Sequence, residues 1–586
     1  MRLTQRHLLT SLPALILALI LLLPAALPAQ AQTPAVEPLT GRWEGELSFQ
    51  NVVLTLVVTF DEQDGALSAA VDIPQQAATG LPASALRFED DALHFELFEG
   101  PRLATFDGAL QEDGAIEGDF SQAGVDGTFR LARAAEVPQI DLLDATPQEA
   151  AALKALDATL EQEMEELRAP GAAIVVVMDG RVLYRKAFGV ASVETGQPLT
   201  PDMLFRIGST TKSLTALALS IAAGEGIVDL HAPIGDAVDG LDPALAELTG
   251  AQLLSHTAGF KDEGPSYGPH DPSALGETAR SWTADSHLFT QPGEVFSYAN
   301  PGIALAGLLL QEAGGAPYDE LIEQLVLQPL GMAHSTFQPT QAMTFPLSQG
   351  HSAVAGGAIQ VVRPYSDNAG YWPAGFLITN VDDLARFAIA LSSGGTLGGH
   401  QAIPAEAVEL MSSPHSRMGE GAAYGYGLML RELRGVRIVE HGGAIEGFSS
   451  LFRLAPDYGF GVIILANKDG AAFEKTADRA MELLLPLEPS AEPEEDDEPI
   501  ALSQAELKRY AGAYAQVAEE ALEVRIDDGQ LVLVLPGAEL SLTPLGDDRF
   551  TLFGPGMSAP AGVEFIAGSD GAIEYLTLGY RAYKRQ

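Results

Sequence analysis

The segment 140–486 has predicted strands at both of its ends and predicted helices between them. At its start, GAAIVVVMDGRVLYRKAFG contains two apolar strands around Asp179 and Gly180, a pair that is typical of a hairpin turn. At its end, VRIVEHGGAIEGFSSLFRLAPDYGFGVIILANKD predicts three more strands. Strands so far apart in the chain can share a core if they form one sheet on which the intervening helices pack. We therefore predict an α+β domain with an antiparallel sheet and a helical region.

Two small all-β domains are predicted, one before and one after this domain. Residues 39–134 contain short apolar strands separated by turn sequences such as DEQDG and QEDG, which is typical of a small barrel or sandwich. Its opening GRWEGEL resembles the first strand of small lipocalin-like modules. Residues 500–586 contain a second series of β segments with Gly and Asp turns. Residues 487–499 combine prolines with acidic residues and are predicted to be a linker.

Residues 1–31 have the layout of a secretory signal peptide. Arg2 and Arg6 form a basic end, an apolar run follows, and Ala29-Gln30-Ala31 offers a small-residue cleavage site. The apolar run is long for a signal, so the alternative is a membrane anchor that is retained. Prolines interrupt the run and favour cleavage. We expect an exported protein, located in the periplasm or outside the cell.

The composition excludes several classes of partner and cofactor. The formal net charge is −46, whereas nucleic acids and anionic membrane surfaces require a basic face. The chain has no cysteine, which excludes disulfides, thiolate metal sites and the lipid anchor of bacterial lipoproteins. No His-Glu-x-x-His or similar ligand spacing occurs, so we expect neither a metal nor another cofactor.

Ser209 and Lys212 lie in FRIGSTTKSLTALALSIA, where a buried apolar helix is predicted to begin. Serine is a common helix cap, and a lysine three residues later shares its helix face by periodicity alone. The alternative is that Ser209 is a nucleophile. A serine hydroxyl then needs a base within hydrogen-bond reach, and Lys212 can be that base if burial lowers its pKa. Gly208 would let the chain turn in closely here.

Two further stretches favour the nucleophile. QPGEVFSYANPGIALAGLLL places Tyr298 and Asn300 just before another apolar helix, and EHGGAIEGF places His441 near a strand. Ser209-Thr210-Thr211-Lys212, Tyr298-Ala299-Asn300 and His441-Gly442-Gly443 resemble the three motifs of serine β-lactamase-like hydrolases. These motifs are Ser-x-x-Lys, Tyr-x-Asn and Lys/His-x-Gly. They are most similar to the class C lactamase branch, which includes D-alanyl carboxypeptidases, D-aminopeptidases and lactamase-fold esterases.

The resemblance extends over about 170–470 of the chain. LLSHTAGF, QPLGMAHSTF, PAGFLITNVDDLARFAIAL and YGYGLML also resemble stretches of that family, in the family's order. The resemblance implies that residues 140–486 form a β-lactamase/transpeptidase-like catalytic domain. The carboxy-terminal domain resembles β modules that are often appended to such enzymes.

The resemblance also implies roles for the motif residues. Ser209 would attack an acyl carbonyl and form an acyl-enzyme, while Lys212 and Tyr298 would share the work of the general base. Tyr298 is favoured as the group that returns a proton to the leaving group. Asn300 would orient Lys212 and the substrate. His441 would supply electrostatic and hydrogen-bonding contacts beside Tyr298.

The third motif is implied to bind the substrate. The backbone N–H groups of Ser209 and Ala444 would form the oxyanion hole, and Gly442 and Gly443 would contact the substrate. His441 departs from class C lactamases, which have a charged Lys there, since a histidine is only partly charged at neutral pH. Gly442 also lacks a hydroxyl. We therefore expect an ester, an amide or a D-amino-acid peptide as substrate, with β-lactam hydrolysis weak or absent.

Other functions stay open at this stage. The protein can be a true β-lactamase or a D-alanyl-D-alanine carboxypeptidase, or a penicillin-binding sensor without catalysis. The two β domains also leave room for contact with envelope or cell-wall polymers. His256, in LSHTAG, is predicted to be a structural hydrogen-bonding group near the site. Five further histidines are predicted to be exposed to solvent: His231, His270, His287, His351 and His415.

Overall fold

The computed structural model describes residues 39–586, apart from a set of gaps. The gaps are 51, 64–65, 74–77, 90, 99, 112, 134–144, 420, 490–498, 518–519, 536–537, 555–556 and 558–559. The predicted signal peptide and most of the predicted linker lie outside the described residues. No described helix is long and apolar enough to cross a membrane. The chain divides into two compact units, one ending at residue 136 and one beginning at residue 137.

The first unit is an antiparallel sheet, and its strands are β1 Gly41–Phe49, β2 Val52–Gln63, β3 Ala66–Ile73, β4 Ala78–Pro82, β5 Ser84–Glu89, β6 Ala92–Leu97, β7 Ala104–Leu110, β8 Ile116–Gln122 and β9 Val125–Arg133. Within its described residues the strand order is β4-β3-β2-β1-β9-β8-β7-β6-β5. A 3-10 turn, Gly100–Arg102, precedes β7. Phe95 stacks on Phe106 with ring centroids 4.4 Å apart, and Phe129 meets Phe106 edge-on. These rings form the centre of an all-β core, as the sequence predicts.

The second unit contains the predicted α+β domain. Its strands are β10 Gly171–Met178, β11 Arg181–Gly189, β12 Phe205–Arg206, β13 His351–Ala353, β14 Ile359–Val361, β15 Ile378–Thr379, β16 Thr396–Leu397, β17 His400–Gln401, β18 Ser416–Gly419, β19 Ala422–Tyr424, β20 Met429–Leu433, β21 Val436–Ile445, β22 Phe448–Ala455 and β23 Phe460–Ala466. In the part of the chain that the structure describes, the main sheet has the order β11-β10-β23-β22-β21-β20-β19-β18. Strand β10 pairs antiparallel with β23. The two ends of the segment therefore meet in one antiparallel sheet, which confirms the predicted fold class.

The helices of this domain are α1 Pro147–Leu167, α2 Thr211–Gly224, α3 Pro243–Ala246, α4 Gly250–Leu254, α5 Ala274–Arg280, α6 Ala284–His287, α7 Asn300–Gly314, α8 Tyr318–Ile322, α9 Gln328–Leu330, α10 Pro339–Ala342, α11 Trp372–Gly375, α12 Val381–Ser392, α13 Ala405–Met411 and α14 Glu474–Leu484. A π-helical turn, Glu323–Leu327, lies between α8 and α9. Further 3-10 turns are Gly208–Thr210, Ile234–Asp236, Ala369–Tyr371 and Pro456–Tyr458. Helix α1 begins with a capping box in which Thr146 and Glu149 bond each other's backbone N–H groups.

The sheet is buried on both faces, which explains why its central strands are continuously apolar. Alternate residues of β10 point to opposite faces. Val175 packs in a core with α2, α7 and α12, whereas Ile174 packs in a second core with α1 and α14. Helices α2 and α7 are buried on nearly all sides, so their sequences are almost entirely apolar. These two helices begin at the residues that the sequence motifs single out.

The carboxy-terminal region is a closed β-barrel preceded by α15 Gln504–Tyr510. Its strands are β24 Gly512–Ala515, β25 Leu522–Asp527, β26 Gln530–Leu535, β27 Ala538–Gly546, β28 Arg549–Phe553, β29 Ala561–Ala567, β30 Ile573–Leu578 and β31 Arg581–Arg585. The barrel packs directly against the α+β domain. The Tyr575 and Thr290 hydroxyls are 2.5 Å apart, Gln516 Nε2 donates to Ser297 Oγ at 3.2 Å, and the Tyr298 N–H donates to the Tyr580 carbonyl at 2.8 Å. The turn between β30 and β31 therefore lies beside Tyr298.

Candidate active site

Ser209 lies in the 3-10 turn Gly208–Thr210, which joins β12 to α2. The N-cap of α2 is Thr210, and no side-chain capping bond is made there. The Ser209 hydroxyl instead accepts a hydrogen bond from Lys212 Nζ at 3.0 Å. Ser209 is only half-buried. The hydroxyl is therefore bonded to a base rather than to the helix backbone.

Gly208 is the residue that lets this turn approach the sheet. Its φ of +52° is in the left-handed region that favours glycine. A Cβ atom at this position would lie 2.7 Å from the backbone nitrogen of Ala444 in β21. The turn that carries Ser209 thus lies directly against the strand that carries the His-Gly-Gly motif.

Lys212 is completely buried on the first turn of α2. Besides the Ser209 hydroxyl, its ammonium group donates to Asn300 Oδ1 at 2.7 Å and to the carbonyl of Ala374 at 2.5 Å. Its Nζ also lies 4.9 Å from the ring centroid of Tyr298. These contacts hold the amine in one place, next to the serine oxygen.

The pKa of Lys212 is lowered from 10.5 to about 7. The main cause is burial, which disfavours the charged form. The positive charge of Arg581 acts in the same direction, and the Asp262 carboxylate opposes it. Near neutral pH a substantial fraction of Lys212 is therefore an uncharged amine, the form that can accept a proton.

Tyr298 is buried beside the serine, just before α7. Burial raises the pKa of its hydroxyl well above the usual value, and a hydrogen bond with Ser209 opposes this only in part. The hydroxyl is therefore protonated at neutral pH. In this state it can donate a proton, whereas Lys212 is the group that is ready to accept one.

Asn300 is the first residue of α7 and links Lys212 to Asp262. Its Nδ2 and its backbone N–H both donate to Asp262 Oδ1, at 3.0 and 2.9 Å. An ionised carboxylate only accepts hydrogen bonds, so the amide must turn its NH₂ towards Asp262 and its oxygen towards Lys212. Asp262 also satisfies a backbone N–H at the start of the helix, where an anion is favoured.

His441 is buried in β21 and is neutral in this structure. Its Nδ1 donates to the carbonyl of Gly442 at 2.7 Å, and Nε2 accepts from the hydroxyl of Tyr424 at 3.1 Å. Burial, with the charge of Lys212, lowers its pKa to about 3. The expectation of a partly charged histidine is therefore wrong, because the sequence does not reveal how completely the ring is removed from water. Its ring centroid is 6.0 Å from that of Tyr298.

The stretch Gly442-Gly443-Ala444 forms an edge of β21 next to the serine. The pairing between β20 and β21 ends at Met429 and Glu440, so residues 441–445 of β21 extend past the end of β20. Gly442 and Ala444 are exposed. A Cβ on Gly443 would lie 1.9 Å from the carbonyl oxygen of Ile207, so this glycine allows the strand to touch the Ser209 turn. The strand edge can therefore bind an extended substrate by backbone hydrogen bonds.

The structure shows the surroundings of two other histidines for which the sequence analysis made a prediction. His256 is buried, and its Nδ1 accepts from the backbone N–H of Ala299 at 3.2 Å, so it supports the Tyr298-Ala299-Asn300 segment. His351 is also fully buried, and its Nδ1 donates to the carbonyl of Asn467 at 2.8 Å. The prediction that His351 is exposed is wrong, because a loop-like sequence here packs against the end of the main sheet.

The structure thus brings together all the side chains that the motifs single out, and it adds Tyr424, Asp262 and Arg581. Tyr424 lies in the YGYGLML stretch and Asp262 follows LLSHTAGF, so both were close to recognised sequence. Arg581 lies in the last strand of the barrel and has no motif around it. Over the described ranges, no cluster of three or more His, Asp or Glu side chains is placed to hold a metal ion.

The sequence matches the family described as Beta-lactamase over residues 156–485, which is more than half of the chain. The chain belongs to the beta-lactamase family. The match covers the main sheet, its helices and the Ser209, Tyr298 and His441 motifs. The fold and the site geometry are thus those of a family of serine hydrolases.

Individual relatives agree with this assignment. "Protein flp" of Staphylococcus aureus is 26% identical over 322 residues, which cover 53% of this chain and 62% of that protein. The chain therefore spans less than two thirds of the length of this relative. "Penicillin-binding protein 4" of Amycolatopsis lactamdurans is 28% identical over 366 residues, covering 60% of this chain and 94% of that protein.

Among solved structures, the chain is similar to SurE. The crystal structure of SurE has 29% sequence identity and a TM-score of 0.63, and the similarity covers 75% of this chain and all of SurE. A second structure, SurE with D-Leu, has a TM-score of 0.59 at the same identity. The similarity to SurE therefore covers more of this chain than the family match over residues 156–485 does.

Proposed function

We propose that this protein is an exported serine hydrolase that cleaves an ester, an amide or a D-amino-acid peptide through an acyl-enzyme on Ser209. The observation that carries the proposal is the 3.0 Å hydrogen bond from a fully buried Lys212 to the Ser209 hydroxyl. A lysine whose pKa is about 7 can serve as a base near neutral pH. An ordinary surface lysine cannot do so.

In the acylation step, the neutral amine of Lys212 takes the Ser209 proton while Oγ attacks the acyl carbon. The negative charge that develops on the carbonyl oxygen is stabilised by the backbone N–H groups of Ser209 and Ala444. Tyr298 donates its proton to the leaving alkoxide or amine as the acyl–leaving-group bond breaks. Lys212 then returns a proton to Tyr298, so that the leaving group departs neutral and the site is restored.

In the deacylation step, a water molecule takes the place of the leaving group. Tyr298 gives its proton to the neutral Lys212 as it accepts one from the water, and the hydroxide attacks the acyl carbon of the Ser209 ester. The acyl–Oγ bond breaks, and Lys212 gives its extra proton to Ser209 Oγ, which restores the site. Asn300 keeps Lys212 oriented throughout, because Asp262 fixes the direction of its amide.

The chemistry of the strand edge supports the choice of substrate. His441 is neutral, so the His-Gly-Gly motif offers no fixed positive charge to the carboxylate of a β-lactam. Gly442 offers no hydroxyl either. The similarity to SurE, one of whose structures contains D-Leu, supports an acyl group derived from a D-amino acid. We expect weak or absent β-lactam hydrolysis.

The test uses the purified protein without residues 1–31, beside its Ser209→Ala variant. Both are treated with a fluorophosphonate probe and then assayed with p-nitrophenyl esters, D-alanyl and D-leucyl peptides and amides, and nitrocefin. We expect labelling and turnover of an ester or D-peptide by the parent protein, and a loss of roughly 10³-fold or more in the variant. Absence of Ser209-dependent labelling and turnover contradicts the proposal, and rapid nitrocefin turnover contradicts the substrate class.

Export is tested separately by expressing the full chain with a carboxy-terminal tag in a Gram-negative host. We expect the protein in the periplasmic or extracellular fraction, with a new amino terminus close to residue 32. A cytoplasmic protein that keeps its first residues would exclude export.

A further inference from the structure

The turn between β30 and β31 connects the barrel to the catalytic groups. The Tyr580 carbonyl accepts a hydrogen bond from the backbone N–H of Tyr298 at 2.8 Å. The next residue, Arg581, donates from Nε to Asp262 Oδ2 at 2.9 Å and makes a second, shorter bond to the same oxygen. The Asp262 side chain is only 9% exposed, whereas the Arg581 side chain is 41% exposed. The carboxylate end of the ion pair is therefore buried, and Arg581 reaches it from the surface of the protein.

Asp262 connects Arg581 to Lys212 through further hydrogen bonds. Its Oδ2 atom binds Arg581, while Oδ1 accepts both N–H groups that Asn300 offers. Asn300 Oδ1 in turn accepts from Lys212 Nζ at 2.7 Å. A continuous chain of hydrogen bonds thus runs from Arg581 through Asp262 and Asn300 to Lys212, and it ends at the Ser209 hydroxyl.

We propose that Arg581, contributed by the carboxy-terminal barrel, is a positioning residue of the active site that acts on Lys212 through Asp262 and Asn300. This inference rests on the proposed function, because it assigns Arg581 a part in the same reaction. The barrel then contributes a residue to the active site in addition to stabilising the catalytic domain. This contribution of the barrel depends on the hydrogen bonds of the Arg581 side chain.

The charges along this chain of hydrogen bonds explain why a cation is required at position 581. Without Arg581, Asp262 is a buried carboxylate with no counter-ion, and its negative charge acts on Lys212 alone. Arg581 lowers the pKa of Lys212, and Asp262 raises it. The other titratable groups near Lys212 are Tyr298, which stays protonated, and the neutral histidines His256 and His441. Burial is the main cause of the depressed pKa of Lys212, and the balance between Arg581 and Asp262 adjusts it.

A second ion pair between the barrel and the catalytic domain provides a contrast. Arg417 binds Glu564 of the barrel at 2.7 Å, and these side chains are 61% and 18% exposed, against 41% and 9% for Arg581 and Asp262. This pair joins the barrel to β18 near the surface, and exposed pairs contribute little. Arg417 is therefore a matched control for Arg581, since its removal also deletes one arginine and one contact between the barrel and the catalytic domain.

The experiment measures Lys212 directly in the full mature chain. The chain has eight lysines, so the protein is labelled with [ε-¹³C]lysine, and the Lys212 signal is assigned by its loss in Lys212→Met. Its pKa is then followed by NMR titration in the parent protein and in Arg581→Met, Arg581→Lys, Asp262→Asn and Arg417→Met. The pH dependence of kcat/KM for a p-nitrophenyl ester is recorded for the same proteins, with thermal unfolding as a check of folding.

We expect opposite shifts from the two partners. Arg581→Met should raise the pKa of Lys212 and move the acid limb of kcat/KM to higher pH, by about one pH unit and hence about tenfold in rate below the limb. Asp262→Asn should move both to lower pH. Arg581→Lys should restore part of the shift, since it keeps the charge but not the two-pronged contact. Arg417→Met should change neither.

A Lys212 titration that is identical in the parent protein and Arg581→Met would overturn the inference. The same holds if Arg581→Met and Arg417→Met lower kcat/KM equally at every pH, because Arg581 would then only stabilise the interface. The proposed function itself would be contradicted by a different observation, namely that the parent protein shows no Ser209-dependent turnover. The NMR titration decides the coupling between Arg581 and Lys212 in either case.

Discussion

The two sides of Ser209 differ in charge and in exposure. On one side, which we call the lysine side, Lys212, Asn300, Asp262 and Arg581 form one chain of hydrogen bonds. On the other, the strand side, residues 441–444 of β21 present a neutral histidine and two exposed backbone positions. On the lysine side the ionisable groups Lys212 and Asp262 are buried, whereas the strand side is uncharged and open.

The difference suggests a division of labour between proton transfer and substrate binding. Proton transfer at neutral pH requires an amine whose charge is controlled, and burial beside one anion and one cation provides that control. Substrate binding along a strand requires free backbone groups and room for the ligand, which small residues provide. If this division is correct, changes on the lysine side should alter the pH dependence, and changes on the strand side should not.

The largest effect is expected from Lys212→Met. The change removes the base but keeps the length of the side chain, so kcat/KM should fall by roughly 10²–10⁴-fold, the usual contribution of a general base. The control is Lys261→Met, which removes a lysine that bonds the carbonyl of Ser286 at an exposed site. Steady-state kinetics with the ester substrate provides the measurement. Equal activity in the two variants would contradict the assignment of the base.

The same variant should be more stable than the parent protein. The pKa of Lys212 is about 7 in the folded state and 10.5 in the unfolded reference, so the unfolded chain binds more protons between these values. The cost of burying this lysine is therefore fully present below pH 7 and disappears as the pH approaches 10.5. We expect the Tm of Lys212→Met to exceed that of the parent protein most at pH 7 and below. A Tm difference that grows towards pH 10.5 would contradict the depressed pKa.

A smaller effect is expected on the strand side, from two neighbouring glycines. A Cβ on Gly443 would collide with the carbonyl oxygen of Ile207 at 1.9 Å, whereas one on Gly442 would meet only the Ser450 carbonyl oxygen, at 3.8 Å. Gly443→Ala should therefore displace the Ser209 turn and reduce kcat/KM by about 10²-fold. Gly442→Ala should cause a clearly smaller loss, because its Cβ has room and leaves the Ser209 turn in place. Similar losses in both variants would show that the strand does not position the serine.

The smallest effect is expected from His441→Gln. The ring is neutral, so its replacement should leave the acid limb of the pH profile in place and reduce kcat/KM by about fivefold, the value of one hydrogen bond. Tyr424→Phe removes the hydroxyl that donates to the same ring and should cause a loss of similar size. A shift of the acid limb in His441→Gln would mean that the histidine titrates with the lysine side, and the division of labour would then be wrong.

Much of the fold and part of the site could be predicted from the sequence. The apolar strands at both ends of 140–486 predicted one antiparallel sheet, and the Ser209, Tyr298 and His441 motifs predicted a serine site before either was seen in three dimensions. The strands β4, β5 and β8 of the first unit and β12 to β20 of the second were not predicted. In β5 four of the six residues are exposed, and the other two, Leu86 and Phe88, are only half-buried, so its apolar signal is weak.

The histidines show where sequence patterns stop being informative. His441 was expected to be partly charged and His351 to be exposed, yet both are buried. A histidine's charge depends on how much water and which charges surround it, and those surroundings come from residues far away in the chain. The pKa of His441 in strand β21, for example, is lowered by burial and by the charge of Lys212 on helix α2.

The order of the elements, the three motifs and the excess of acidic residues follow from the sequence alone, because they depend on local periodicity and composition. The contact between Arg581 and Asp262, which are 319 residues apart along the chain, arises from tertiary packing. No spacing rule connects such residues, since barrel closure and the packing of the β30–β31 turn against Tyr298 bring them together. The depressed pKa of Lys212 was likewise decided by tertiary packing, because it results from complete burial between one anion and one cation.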